Sequence, residues 1–241
     1  GGAATPQIRQ AATLGGNLLQ RPRCWYLRSA LHPCKKKGGA VCFAQEGESD
    51  FHAVLDNWVC AAVAPSSTAT ALLAHSARFV ALGPGGRRVA PLEDLLLSPS
   101  APGADLRRDH RLDPAEVLCA LQLPLLGPGG RSVYRKVKQK QSFDWPLGEV
   151  AVVLRREGAA VREARVVLGA AAPTPLRAAA LEAALRAPRP DEEALRKAAA
   201  AALDKARPLR DNGYKVPLLR ELLLRAARQA LAEGGTDATQ Q

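Results

Sequence analysis

The spacing of apolar positions changes along this chain, and each change marks an element. Between residues 217 and 231, Leu219, Leu222, Leu223, Ala226, Ala227 and Leu231 recur at helical spacing and predict a helix with one packed face. Residues 149–154 and 161–168 are rich in Val, Leu and Ala and predict two strands, joined as a hairpin by a turn near Glu157-Gly158. Strands are also predicted over 78–82, at Arg87-Arg88-Val89, over 117–123 and over 132–139. Further helices are predicted over 68–77, where Ser66 or Ser67 can supply the cap, and over 92–97, 175–185 and 191–203. Residues 1–20 read as a short helix followed by a Gly-rich turn, and 233–241 as a polar tail.

This order of elements is α+β. The run Gly127-Pro128-Gly129-Gly130 is the best linker, dividing the chain into one unit over 1–126 and a smaller one over 131–232. Clefts between such units commonly hold cofactors. Of the 241 residues, 47% are hydrophobic, enough for a real core. The net charge of +11 raises a nucleic-acid reading, but the basic residues alternate with Glu and Asp along the helices. The compact basic run is Lys35-Lys36-Lys37, and aromatic residues spaced for base stacking are absent. No apolar stretch reaches the ~20 residues of a membrane helix, and no signal peptide is visible. The chain has no methionine, even at position 1, and the expectation is a fragment lacking an N-terminal part.

Residues 21–60 have little periodicity. They hold Cys24, Cys34, Cys42 and Cys60 in the pattern C-x9-C-x7-C-x17-C, while Cys119 lies far away in a predicted strand among apolar neighbours and reads as a buried structural thiol. Four thiolates in one irregular segment are the ligand set of an iron–sulfur cluster. Zinc is the second possibility, although structural zinc sites favour close C-x2-4-C pairs, and disulfides or free thiols are the third. Arg21, Arg23, Arg28, Lys35, Lys36 and Lys37 lie near these cysteines and would offset a cluster's negative charge; they read equally as solvated loop charges. His32 and His52 can act as donors to sulfur, or simply be exposed. Ligation would order a loop that lacks a core of its own.

Just upstream, the glycines of Thr13-Leu14-Gly15-Gly16-Asn17 let the backbone approach a phosphate or a flat ring, though an ordinary turn has the same composition. Neither a G-x-G-x-x-G nor a Walker loop is present, and His32, His52, His75 and His110 have no metal-binding spacing.

The segment from Gln7 through Thr13-Leu14-Gly15-Gly16-Asn17 to Leu18 resembles the flavin signature of the FAD-binding medium subunits of the xanthine dehydrogenase family of molybdenum hydroxylases. Tyr134-x-Lys136, Ser142-Phe143-Asp144-Trp145-Pro146, Val167-Leu168-Gly169 and Asp211-Asn212-Gly213-Tyr214-Lys215 resemble the same subunit's C-terminal domain, of the CO dehydrogenase flavoprotein type. The resemblance implies the second subdomain of a PCMH-type FAD-binding domain followed by a small α+β domain. It implies contacts to FAD from Thr13, Gly15, Gly16, Asn17, Leu118 and Lys136. Ser67 stands where the family has an aspartate that hydrogen-bonds FAD, so a hydroxyl replaces a charge. The resemblance leads to the expectation that the family's N-terminal pyrophosphate-binding subdomain is missing from this sequence.

The cysteine segment, with Arg23-Cys24-Trp25-Tyr26, Pro33-Cys34 and Val41-Cys42-Phe43-Ala44, is similar to the extra segment of aldehyde oxidoreductase flavin subunits. The resemblance implies a 4Fe-4S cluster on Cys24, Cys34, Cys42 and Cys60. It further implies an oxidoreductase subunit passing electrons to an acceptor. The implied partners are a molybdopterin-binding large subunit and a 2Fe-2S small subunit, with neither nucleic acid nor membrane. The compartment implied is cytoplasmic, or periplasmic by export of the assembled complex. The alternatives are a zinc-stabilised basic binding module and a structural subunit that has lost FAD.

Overall fold

The computed structural model describes residues 2–188 and 190–232; the polar tail expected over 233–241 lies outside the described residues. Two short helices open the chain, α1 (Pro6–Ala11) and α2 (Leu14–Leu18), and α3 (Trp25–Arg28) follows in the cysteine segment. Next come α4 (Ser67–Ala74), β1 (Arg78–Gly83), β2 (Gly86–Pro91) and β3 (Val117–Gln122). The C-terminal part contains β4 (Gly130–Lys138), β5 (Pro146–Glu157), β6 (Ala160–Gly169), β7 (Leu176–Arg177), α5 (Ala179–Leu185), α6 (Glu192–Ala201) and α7 (Lys215–Leu231). The strands form two antiparallel sheets, ordered β2-β1-β3 and β4-β5-β6-β7.

Strand alternation explains how the second sheet joins the molecule together. Successive residues of a strand point to opposite faces. Val150, Val152 and Leu154 of β5, with Ala164, Val166 and Leu168 of β6, enter one core with Leu181, Leu185, Leu219 and Leu223 of α5 and α7. Ala151 of β5 and Val167 of β6 enter the other core, with Leu72 and Leu73 of α4, Phe79 of β1 and Leu18 of α2. Both faces of this sheet are therefore covered. That is why residues 150–154 read as an unbroken apolar run rather than an alternating one.

The elements differ from the sequence expectations at several places. Gly15-Gly16-Asn17 lie within a helix, because the Thr13 hydroxyl caps it by accepting from the Gly16 amide at 3.0 Å. The predicted helix over 175–185 begins as strand β7, where Leu176 pairs with Leu168 at the sheet edge, and becomes helical at Ala179. Ser66 caps α4, accepting from the Ala69 amide at 3.0 Å. Residues 92–95 form a 3-10 turn. Cys119 is exposed. Its strand is one of the two edge strands of the β2-β1-β3 sheet, where Leu118 and Leu121 pack inward, leaving Cys119 on the solvent face. The expectation of a buried Cys119 thiol is therefore corrected.

Candidate flavin and cysteine sites

The cysteine segment holds its shape through polar contacts with distant parts of the chain. The amides of Val54 and Leu55 donate to the Ala171 carbonyl at 2.9 and 3.0 Å, and that of Ala64 donates to Ala172 at 2.8 Å. The Asp211–Lys215 motif grips the same segment. The Asp211 carboxylate accepts from the Ser49 amide at 3.0 Å and from its hydroxyl at 3.2 Å, and the Tyr214 hydroxyl donates to Asp50 O at 2.9 Å. Asn212 Nδ2 donates to His52 O and Ala53 O, and the buried Lys215 Nζ donates to His52 O at 3.0 Å and Ala170 O at 2.6 Å. Burial without a carboxylate partner lowers the Lys215 pKa to about 7. The order expected from ligation alone thus has a second source in the protein.

Within this frame Cys24, Cys34, Cys42 and Cys60 line one small cavity. All four are free thiols. A tight reversal brings two of them to the same wall. Cys34 bridges to Val41, its carbonyl accepts from the Lys37 and Gly39 amides, and Cys42 follows directly. The reversal requires Gly39, where a Cβ would fall 1.7 Å from Pro33 O. Cys24 stands at the N-cap of α3, and Cys60 lies in the stretch whose Ala61 carbonyl accepts from Ala53 N. The Cys60 thiol hydrogen-bonds Cys42, holding Cys42 down to about 6 and pushing Cys60 up. Burial raises Cys24. Among the described residues, no group of three or more His, Cys, Asp or Glu side chains is arranged to hold a metal ion.

Of the six basic residues near these cysteines in sequence, Lys35 and Lys36 line the cavity. Lys36 is buried and lies 2.6 Å from Asp109 Oδ1, a carboxylate that Arg21 also binds at 2.9 Å. Arg23 lies over the Trp145 ring, and Arg28 donates to the Pro22 and Arg21 carbonyls. His52 Nε2 sits 3.2 Å from Cys24 Sγ, whereas His32 Nδ1 meets the Ser29 hydroxyl instead. Burial lowers the His52 pKa to about 4, assisted by the Lys215 charge.

Aromatic rings cover the site. Tyr26 stacks on Phe43 at 6.0 Å, His32 meets Phe43 edge-on at 5.0 Å, and Trp25 meets both Phe51 and His52. Sequence reasoning missed this shell, yet a signal was present. Trp25, Tyr26, Phe43, Phe51 and Trp58 all lie within residues 21–60 of a chain with only 4% aromatic residues.

The residues expected to contact flavin meet where α2, α4, β3 and β4 come together. A Cβ on Gly15 would lie 3.6 Å from the Leu118 side chain, so the bare backbone of α2 faces β3. Asn17 Oδ1 accepts from the Ser66 hydroxyl at 2.7 Å, tying α2 to the start of α4. Ser67, next in sequence, hydrogen-bonds Tyr134. Tyr134 donates to Glu149 Oε2 at 2.7 Å, and Thr70 donates to Glu149 Oε1 at 2.8 Å. Lys136 lies opposite Glu149 in the β4–β5 ladder, and its Nζ donates to Gly2 O at 3.2 Å. Burial lowers the Lys136 pKa and raises that of Tyr134. Glu149, fully buried, was not legible in sequence because it sits at the start of an apolar run and reads as a strand end. Nearby, α1 buries no residue, and Leu14 and Val117 are exposed.

A second small cavity lies between the two places. Cys60 and Lys36 line it at one side, and Leu18, Ser66 and Ala69 at the other.

The structure thus carries a glycine-containing helix packed on Leu118 and a cavity lined by four cysteines. The family described as "FAD binding domain in molybdopterin dehydrogenase" matches residues 1–126, and "CO dehydrogenase flavoprotein C-terminal domain" matches 132–230. The chain belongs to this family of molybdenum hydroxylase FAD-binding subunits. It is 37% identical over 186 residues to the aldehyde oxidoreductase FAD-binding subunit PaoB of Escherichia coli (strain K12), covering 76% of this chain and 56% of that protein. It is 32% identical over 164 residues to the carbon monoxide dehydrogenase medium chain of Hydrogenophaga pseudoflava, covering 66% and 54%. A solved carbon monoxide dehydrogenase from the same organism superposes with a TM-score of 0.66 at 27% identity, over 95% of this chain and 65% of that one. The chain thus spans just over half the length of the curated relatives it matches. No helix among the described residues is long and apolar enough to cross a membrane.

Proposed function

We propose that this chain is the flavin and iron–sulfur electron-transfer subunit of a molybdenum hydroxylase, an oxidoreductase of the aldehyde or xanthine dehydrogenase type. Cys24, Cys34, Cys42 and Cys60 would hold a 4Fe-4S cluster. Thr13, Gly15, Gly16, Asn17, Ser67, Leu118 and Lys136 would hold FAD, within a flavin unit over 1–126 joined to a C-terminal unit over 131–232. When bound, the two groups supply one- and two-electron redox chemistry. The partners would be a molybdopterin-binding large subunit and a 2Fe-2S small subunit, with the assembly in the cytoplasm, or in the periplasm after export of the complex.

The observation that carries this reading is the convergence of four free thiols on one cavity. Each cysteine of a cubane binds a different iron, so its ligands surround a volume. Structural zinc sites favour close C-x2-4-C pairs, whereas every gap between these four cysteines is at least seven residues. Lys35 and Lys36 set positive charge against the thiolates, and the Tyr26 and Phe43 rings line the same cavity. At the flavin place, the glycine backbone of α2 packs on Leu118, and Lys136 offers a cation that donates to the Gly2 carbonyl beside Glu149. Cys60 borders both cavities and so links the two places.

The test is anaerobic reconstitution of the protein with ferrous iron and sulfide, then titration with FAD. About four irons and four sulfides per chain, with quenching of flavin fluorescence, is the expected result. Zinc retained in place of iron, or no flavin bound by the protein within its complex, refutes it.

A further inference from the structure

We infer that His52 donates a hydrogen bond from Nε2–H to the Cys24 sulfur and thereby raises the reduction potential of the cluster that Cys24 holds; this rests on the reading of Cys24 as a cluster ligand. The ring nitrogen lies 3.2 Å from Cys24 Sγ. A metal-bound thiolate has no proton to give, so the hydrogen in this contact must come from the ring. A neutral imidazole carries one N–H. Placing it on Nε2 satisfies the contact and leaves only a lone pair on Nδ1, which is buried without a partner among the described residues. The other tautomer would strand a buried N–H and set two lone pairs face to face, which is the costlier arrangement.

The ring has little freedom to leave. His52 is 3% exposed, and its ring packs against Trp25 at 5.3 Å and Tyr26 at 5.9 Å. Its carbonyl accepts from Lys215 Nζ at 3.0 Å and Asn212 Nδ2 at 3.2 Å, while its amide donates to Ser49 O at 2.9 Å. His52 touches sulfur rather than the reacting atoms, so it is a positioning and tuning residue, and Lys215 and Asn212 fix it from the C-terminal unit. Hydrogen bonds to ligand sulfur withdraw electron density and favour the more negative, reduced cluster.

The experiment compares the wild-type chain with His52→Phe and His52→Gln, each reconstituted anaerobically, with iron counted first and the midpoint potential then read by EPR-monitored titration. Equal iron in all three, a more negative potential for the Phe variant and recovery toward wild type for Gln, which keeps an N–H donor, is the expected result. Equal iron with coincident potentials overturns the inference while leaving the cluster intact. A wild-type chain that takes up no iron defeats the underlying reading and the inference with it. Should the Phe variant lose its cluster, hyperfine spectroscopy of reduced wild type labelled with 15N-histidine decides. A nitrogen coupling absent from the Gln variant supports the hydrogen bond, and no coupling in wild type refutes it.

Discussion

Lys215 offers a direct thermodynamic test of how the C-terminal unit holds the cysteine segment. Its ammonium is fully buried and meets two carbonyls, His52 O and Ala170 O, with no carboxylate partner among the described residues. Burial takes its pKa from the ordinary 10.5 down to about 7. At about 1.4 kcal/mol for each tenfold change in proton affinity, the charged form is penalised by roughly 5 kcal/mol. The sign follows from proton counts. Between about pH 7 and 10.5 the unfolded chain binds this proton and the folded chain does not, so stability rises with pH across that window. Below pH 7 both states carry the charge, and the penalty is constant.

Lys215→Met keeps the length of the side chain and removes the titration. Its stability at any one pH mixes relief of that penalty with about 1–3 kcal/mol for each carbonyl left short of a donor. The slope isolates the buried charge. Urea unfolding of both proteins at pH 7.5, 8.5 and 9.5 should show wild type gaining on the variant by roughly 1 kcal/mol per pH unit. Other titrating groups are common to both and cancel. Parallel curves would show that Lys215 is not held as a desolvated amine, and the clamp on His52 would need another explanation.

Gly39→Ala places a methyl 1.7 Å from Pro33 O, so the Cys34–Cys42 reversal must open. Loss of about 2 kcal/mol or more, with depleted iron, is expected in calorimetry and metal analysis. Tyr134→Phe removes a donor from the buried Glu149 and should cost about 1–3 kcal/mol in denaturant unfolding. Cys119→Ser, on an exposed strand face, should change stability by less than about 0.5 kcal/mol and leave cofactor content unchanged.

Helix α7 and the β5–β6 hairpin were legible in the sequence because their apolar spacing follows local geometry. The four cysteines were legible as a set because they share one aperiodic segment, and the fold brings them to one cavity. Pairings between distant residues were not. Nothing near Asp211–Lys215 indicates that it reaches the 49–53 stretch, and nothing in β5 marks Glu149 as the acceptor for Thr70 and Tyr134. Cys119 was misread because its apolar neighbours suit a buried strand equally well, and only the fold shows that Leu118 and Leu121 face the core while Cys119 does not. The Gly15-Gly16 pair reads as a turn by composition, whereas the Thr13 cap and buried Leu18 hold it helical.

Metal analysis of single-cysteine variants reaches the central claim most directly. After anaerobic reconstitution, wild type and Cys119→Ser should each carry about four irons per chain, while substitution of Cys24, Cys34, Cys42 or Cys60 by Ser should deplete iron and bleach the visible absorption. Iron content that ignores these four positions, or zinc in its place, would contradict the account.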